Sequence, residues 1–244
     1  MRILNTLRES ARLAKLSWRL GLALPPGHNA GAILARLKTI SRHVDCPHNA
    51  SHALAFGVEI LSLPPSVPGC IVEAGCYKGG STAKFSIFAK IAGRSLAVFD
   101  SFEGLPDNQE AHDKSILGHS IEGWFEKGKF RGALEEVQRN IRQYGEIEVC
   151  RFIQGWFEDT MPGFAEPIAA AYLDVDLASS TRTCLKHLYP LLSPGGALFS
   201  QDGDFPLVIE VFRDERFWKN EVGCARPAIE GLGKEKLIAI RKPA

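Results

Sequence analysis

Apolar residues follow two different rhythms along the chain, and the change between them falls near residue 67. In the opening stretch Leu4, Leu7, Ala11, Ala14 and Trp18 recur at helical spacing, while Arg8, Arg12, Lys15 and Arg19 spread over the remaining faces. This predicts an amphipathic helix whose apolar stripe docks on the body or on a second subunit, with peripheral contact to a membrane surface as the alternative. Pro25, Pro26 and Gly27 end it. A second helical pattern runs over 30–40, with Ile33, Leu34 and Leu37 on one side, and a third over 50–63. From Pro68 onward short apolar runs alternate with longer amphipathic ones, the signature of strand-helix units on a mostly parallel sheet. Strands are expected at 70–74, 95–100, 148–154, 169–174, 197–201 and 236–240. Right-handed crossovers between them make a doubly wound α/β sheet the natural topology, with 1–67 as an N-terminal helical extension and 68–244 as the main domain.

The composition, 45% apolar and 23% charged, is that of a globular protein able to bury a sizeable core. A formal net charge of +1 gives no reason to expect nucleic acid as a partner. The six cysteines never fall at the two-residue spacing of zinc or redox motifs, which favours a reduced, cytoplasmic setting. No apolar run in the opening residues is long enough for a signal-peptide core or a membrane span. His43, Cys46, His48 and His52 cluster in sequence, but Pro47 interrupts them and the spacing fits no common zinc pattern, so they are expected to be polar connectors between helices.

The most informative segment is Glu73-Ala74-Gly75-Cys76-Tyr77-Lys78-Gly79-Gly80-Ser81, which leaves the first expected strand and opens a helix. Its glycines allow a tight turn and close approach of backbone to a ligand, and the helix start offers free N–H groups. The order of the glycines is not the dinucleotide fingerprint, which disfavours a nicotinamide cofactor. Asp100 closes the next strand about 25 residues on, where such folds place a carboxylate against ribose hydroxyls.

These residues resemble the macrocin O-methyltransferase family of the TylF or MycF type. The likeness begins at Pro68-Gly69 and the glycine turn, continues through Asp100-Ser101-Phe102-Glu103-Gly104-Leu105-Pro106 and Leu134-Glu135-Glu136-Val137, and recurs in Gly155-Trp156-Phe157-Glu158-Asp159-Thr160-Met161-Pro162. It ends with Leu173-Asp174-Val175-Asp176, Ser180-Thr181, Leu188-Tyr189-Pro190 and Ser193-Pro194-Gly195-Gly196. The resemblance implies a Rossmann-like fold with seven strands, the last antiparallel, S-adenosylmethionine as methyl donor, a magnesium ion, and the hydroxyl of a sugar or other natural product as acceptor. It places Glu73, Gly75, Gly79 and Ser81 around the methionine part of the donor, Asp100 on the ribose, Ser101 and Phe102 beside the nucleoside, and Gly155 and Trp156 at the adenine.

Asp174 and Asp176 follow a strand at the edge where open α/β sheets bind ligands, and strand alternation sends one of them into the site. Asp202 follows the neighbouring strand and is expected to meet Asp174, an oxygen-donor pair suited to magnesium. Family members usually carry two consecutive aspartates there. Here Gln201 replaces the first, offering a carbonyl oxygen without charge. Asp174, His112 or His119 would take the acceptor's proton, the two histidines lying in a polar segment, 107–129, where related enzymes carry a substrate lid. Trp124, Phe125, Trp156 and Phe157 are candidates either for the acceptor pocket or for the core.

The sequence therefore points to an O-methyltransferase acting on a small-molecule hydroxyl with metal assistance. A metal-independent methyltransferase and a non-catalytic nucleoside-binding module with a degenerate metal site are the competing readings. The apolar stripe of the first helix makes a homo-oligomer plausible.

Overall fold

The computed structural model describes residues 2–244, with side chains from residue 9 onward. Three helices come first: α1 (Arg2–Ala23), α2 (Ala30–His43) and α3 (Ala50–Ser62). Strands and helices then alternate as β1 (Cys70–Ala74), α4 (Gly80–Ile91), β2 (Leu96–Asp100), α5 (Leu134–Tyr144), β3 (Cys150–Gln154), α6 (Phe157–Thr160), β4 (Ile168–Leu173), α7 (Ala178–Leu188) and β5 (Leu192–Ser200). Two further helices, α8 (Pro206–Arg213) and α9 (Glu215–Phe217), precede β6 (Ile238–Arg241).

The sheet runs β3-β2-β1-β4-β5-β6, parallel except for β6, which pairs antiparallel with β5. The order reverses at β1, so the connections leaving the paired strands β1 and β4 run to opposite faces of the sheet, through α4 and α7, and leave a crevice beyond their carboxyl ends. Six strands form among the described residues where the family likeness implies seven. A single antiparallel bridge, Glu230 to Ala239, extends the sheet beyond β6. The segment around it carries Pro227 and two glycines at positive φ, Gly231 and Gly233, which keep it from running on as a strand.

All the expected strands are present, β1 with the bounds expected and the others with shifted ends. β5 starts at Leu192, earlier than expected, because Ser193-Pro194-Gly195-Gly196 continues the strand through a register shift against β4. β4 stops at Leu173, leaving Asp174 and Asp176 on the loop beyond it.

Both faces of the sheet are covered. One apolar cluster joins Ile71, Val98, Tyr172 and Phe199 to Phe56 of α3, Phe85 and Phe88 of α4, and Leu16 and Leu20 of α1. The other joins Val72, Phe99, Leu173 and Leu198 to α7, α8 and Trp218. Gly57 of α3 is needed for this packing, since a Cβ there would stand 2.2 Å from the Phe88 ring.

The first helix presents a different face from the one expected. Leu13, Leu16, Leu20 and Leu24 turn inward, and burying Leu16 and Leu20 contributes about 2 kcal/mol each. Ala11 and Ala14 are exposed and Trp18 is 67% exposed, while the side chains of Leu4 and Leu7 lie outside the described residues. Leucines three and four apart bury more area than a stripe of alanines ending in one tryptophan, so they set the docking face. Glu9 fixes the helix further: its carboxylate accepts from the backbone N–H and hydroxyl of Ser51, capping α3 where Asn49 makes no side-chain cap. No helix among the described residues is long and apolar enough to cross a membrane.

Candidate active site

The turn after β1 is built so that backbone rather than side chain faces the crevice. Gly75 adopts φ +83°, and a Cβ there would stand 2.0 Å from the Asp174 carbonyl oxygen, so only glycine lets the ends of β1 and β4 come this close. Gly79, at φ +81°, precedes α4 without a side-chain cap, leaving the first N–H groups of that helix free. Gly75, Cys76, Tyr77, Gly80 and Ser81 line one side of a cavity of ≈ 240 Å³. Its other walls include Asp100 and Ser101 after β2, Gly155 and Trp156 after β3, Asp174 and Asp176 after β4, and Cys46 and His48 before α3.

Asp100 ties two of these loops together. Its Oδ2 accepts from the Cys76 backbone N–H at 2.7 Å and its Oδ1 from that of Phe102 at 2.7 Å. Burial raises its pKa above the usual carboxylate value although these N–H groups pull it down. Ser101 accepts from the Glu103 N–H and donates to the Gly104 carbonyl, closing the same turn. Two residues assigned to the donor stand behind the cavity instead. Phe102 is buried against Phe152, and Glu73 is fully buried beneath the turn with no hydrogen-bond partner on either oxygen. Burial pushes the Glu73 carboxyl up to about 8. Gly79 shapes the turn without lining the cavity.

Three carboxylates meet past the ends of β4 and β5. Ligand atoms of Asp174, Asp176 and Asp202 all lie within 4.8 Å of one another. Asp202 Oδ2 accepts from the backbone N–H groups of Val175 (3.0 Å) and Asp176 (3.1 Å), which bends the β4 loop over it and sets Asp176 at φ 60°. That bend brings in both aspartates, where a regular strand would have admitted one. Burial and the neighbouring carboxylates raise Asp202 to about 7 and Asp176 well above the ordinary value. An all-oxygen set whose members repel one another fits a hard divalent cation.

Gln201 does not belong to this group. It is buried on the opposite face of the sheet, where its Oε1 accepts from the Tyr172 hydroxyl at 2.7 Å and lies 3.0 Å from His52 Nδ1. Consecutive positions after β5 point to opposite sides, so Asp202 and Gln201 cannot both face the cluster.

The loop before α3 contributes what the sequence did not suggest. His48 Nε2 lies 2.7 Å from Asp174 Oδ2, and its Nδ1 lies 3.6 Å from Cys46 Sγ. Burial alone would lower the ring's pKa, but the charge and hydrogen bond of Asp174 raise it well above the ordinary histidine value, so the pair is ionic at neutral pH. Cys46, His48 and His52 are therefore walls and supports of the site rather than connectors. Among them only the position of Pro47, which holds the loop extended before a helix, hinted at a fixed conformation.

Neither histidine of the 107–129 segment bonds the three clustered aspartates. His112 is buried, packs tilted against the Phe125 ring (centroids 4.3 Å apart), and bonds Glu110 Oε2 through Nε2 at 3.1 Å. Glu110 also accepts from the backbone N–H groups of Ala178 and Ser179, capping α7; against burial, which raises its pKa, the His112 hydrogen bond and these caps hold its carboxyl down to about 2. His112 thus ties the 107–129 segment to α7 through Glu110. His119 is exposed and lines a second, wider cleft of ≈ 1270 Å³, together with His52, Asp204, Lys234 and Glu235. Trp124, Phe205 and Lys236 line both spaces, so the two are neighbours, and Asp174 and Asp176 lie on the wall of the smaller one. Phe125 packs against Phe205 in the core, while Trp156 and Phe157 line the smaller cavity.

Residues 61–228 match the model of the family described as Macrocin-O-methyltransferase (TylF). The chain belongs to the macrocin O-methyltransferase family. It is accordingly a methyltransferase. A curated member from Streptomyces olivaceus, 8-demethyl-8-(2,3-dimethoxy-alpha-L-rhamnosyl)-tetracenomycin-C 4'-O-methyltransferase, is 36% identical over 191 residues, covering 74% of this chain and 69% of that protein. Mycinamicin III 3''-O-methyltransferase from Micromonospora griseorubida is 32% identical over 164 residues, 64% of this chain and 63% of that protein. The solved O-methyltransferase NovP shares the fold at a TM-score of 0.60 and 24% identity, covering 86% of this chain and 80% of that one.

Proposed function

We propose that the chain transfers the methyl group of S-adenosylmethionine to a hydroxyl of a sugar or related natural-product scaffold, assisted by magnesium. One observation carries this reading: Asp174 and Asp176 line the glycine-turn cavity, Asp202 completes a three-carboxylate cluster with them, and that cavity shares Trp124, Phe205 and Lys236 with the wide cleft. The curated relatives, named for O-methylation of glycosylated products, support the acceptor class.

In this reading Gly75, Gly80 and Ser81 receive the amino-acid end of the donor, Asp100 accepts hydrogen bonds from its ribose, and Gly155 and Trp156 flank the adenine. The aromatic walls and nearby carboxylates favour the sulfonium charge. Asp174, Asp176 and Asp202 would hold the cation, which when bound lowers the pKa of an acceptor hydroxyl and orients it. Asp174 keeps one oxygen on His48 and, on the wall of the smaller cavity, uses the other to accept the hydroxyl proton as the acceptor oxygen approaches the methyl carbon in line. Trp124 and Leu117, both exposed, offer apolar faces to the rest of the acceptor in the wide cleft.

A metal-independent reaction is the second reading, favoured by the His48–Asp174 ion pair and by Gln201 being turned away, since both reduce the charge offered to a cation. Incubation with S-adenosylmethionine and a panel of rhamnosylated acceptors, with product mass measured, tests the function. Loss of methylation on adding chelator, restored by magnesium, supports the first reading. Chelator-resistant turnover supports the second, and cofactor binding with no product across the panel would contradict both.

A further inference from the structure

Two side chains near the site, Cys46 and Lys84, meet beside His48 and have no part in the proposed transfer. Cys46 Sγ lies 3.6 Å from His48 Nδ1 on one side and accepts from Lys84 Nζ at 3.6 Å on the other. Lys84 sits on α4, is only 2% exposed, and has Cys46 Sγ as the hydrogen-bond partner of its ammonium group among the described residues. A buried ammonium ion is costly unless a negative charge forms beside it, and the thiolate of Cys46 is the charge available. Burial raises the Cys46 pKa, but the hydrogen bond and charge of His48 and the charge of Lys84 outweigh it and bring the thiol below its ordinary value. Burial moves the other five cysteines the opposite way, Cys70 to about 11 and Cys150 to about 12, with Cys76, Cys184 and Cys224 also raised. Cys46 is partly exposed on the cavity wall and presses on the glycine turn, its Cβ standing 2.7 Å from where a Cβ on Gly80 would be.

We propose that Cys46 is a reactive thiolate site on the wall of the donor cavity, open to small disulfides of the glutathione disulfide class, and that the mixed disulfide formed there closes the cavity to the donor. The Cys46 sulfur attacks one sulfur of the disulfide, the S–S bond breaks, and the other half leaves as a thiolate. Cys46 is thereby oxidised and the departing half reduced, with no further reactant. Reactivity follows from the Cys46, His48 and Lys84 geometry alone, whereas closure of the cavity rests on the donor reading given above.

The test treats the whole protein with limiting glutathione disulfide, maps the modified peptides by mass spectrometry, and then titrates the protein with S-adenosylhomocysteine in a calorimeter. Cys46 is expected to be modified about tenfold faster than Cys150 or Cys224, in keeping with its larger thiolate fraction. Lys84→Met should slow modification several-fold, as the loss of an adjacent cation predicts, while Lys84→Arg keeps the charge and the rate. Treated wild-type protein should lose S-adenosylhomocysteine binding, regain it on reduction with dithiothreitol, and show no such loss when carrying Cys46→Ser. Even modification of all partly exposed cysteines, or an unchanged rate in folded Lys84→Met protein, would overturn the reactive site. Rapid modification with undiminished S-adenosylhomocysteine affinity would overturn the closure alone. Failure of untreated protein to bind the nucleoside would overturn the donor reading and the closure together, leaving the modification pattern to decide the thiol.

Discussion

His48 Nε2 and Asp174 Oδ2 stand 2.7 Å apart, an ion pair joining the loop before α3 to the carboxylate cluster after β4. The pair uses one oxygen of Asp174 and so fixes the direction in which the other points. Groups that orient a reacting or ligating side chain typically matter by about 10- to 100-fold in activity or metal affinity. His48→Ala should therefore lower kcat by about that factor, with a smaller change in the dissociation constant for S-adenosylhomocysteine. Steady-state kinetics beside calorimetry checks this, and an unchanged kcat would contradict the positioning role.

The three-aspartate cluster and the excluded Gln201 predict a contrast. Asp176→Asn and Asp202→Asn should each weaken magnesium binding, since each removes a charged ligand, whereas Gln201→Ala should leave it intact. The latter strips the buried Tyr172 hydroxyl of its acceptor and should cost about 1–3 kcal/mol of stability. Magnesium titration and urea denaturation of the three variants separate the two effects. Weakened metal binding in Gln201→Ala would place Gln201 back among the ligands.

Glu73 gives the fold a pH dependence of definite sign. Its pKa rises from an ordinary 4.5 to about 8 in the folded chain. The folded state then holds a proton that the unfolded state releases, so this contribution is complete below about pH 4.5 and is lost as pH rises towards 8. The loss approaches about 1.4 kcal/mol per pH unit for one such group. Melting temperature should fall between pH 5 and 8 less steeply in Glu73→Gln than in wild type. Parallel profiles would show that Glu73 does not carry this dependence.

Glu110 couples the 107–129 segment to α7, accepting from two backbone N–H groups and from His112. Glu110→Ala should loosen that segment and raise KM for the acceptor more than it lowers kcat, because the segment carries Ser115, Leu117, His119 and Ile121 of the wide cleft. A fall in kcat alone would place Glu110 nearer the chemistry.

The sheet and the glycine turn were legible because their signals are local. Gly75, Gly79 and Asp100 occupy positions fixed by the strand-to-helix turns on either side of them. Other features depend on the fold as a whole. The Asp202 bonds to Val175 and Asp176 bend the loop and defeat the alternation that seemed to separate Asp174 from Asp176. The same alternation, applied across β5, carries Gln201 to the far face. Cys46 and His48 reach the site only because α2 and α3 pack against α4, with α3 also meeting β4, a long-range contact with no sequence periodicity. His112 was a reasonable base by residue type, but its place is settled by Glu110 and by the rings of Phe125 and Phe205. On α1, two apolar stripes share helical spacing, and the larger leucines take the core.

Calorimetric titration of wild-type and Asp100→Ala protein with S-adenosylhomocysteine tests the account most directly. The wild type should bind one nucleoside per chain, and Asp100→Ala should bind at least about tenfold more weakly, as the loss of charge-assisted hydrogen bonds predicts. Absence of heat and of any thermal shift with the wild-type protein, or equal affinity in the two, would contradict a donor site at the glycine turn.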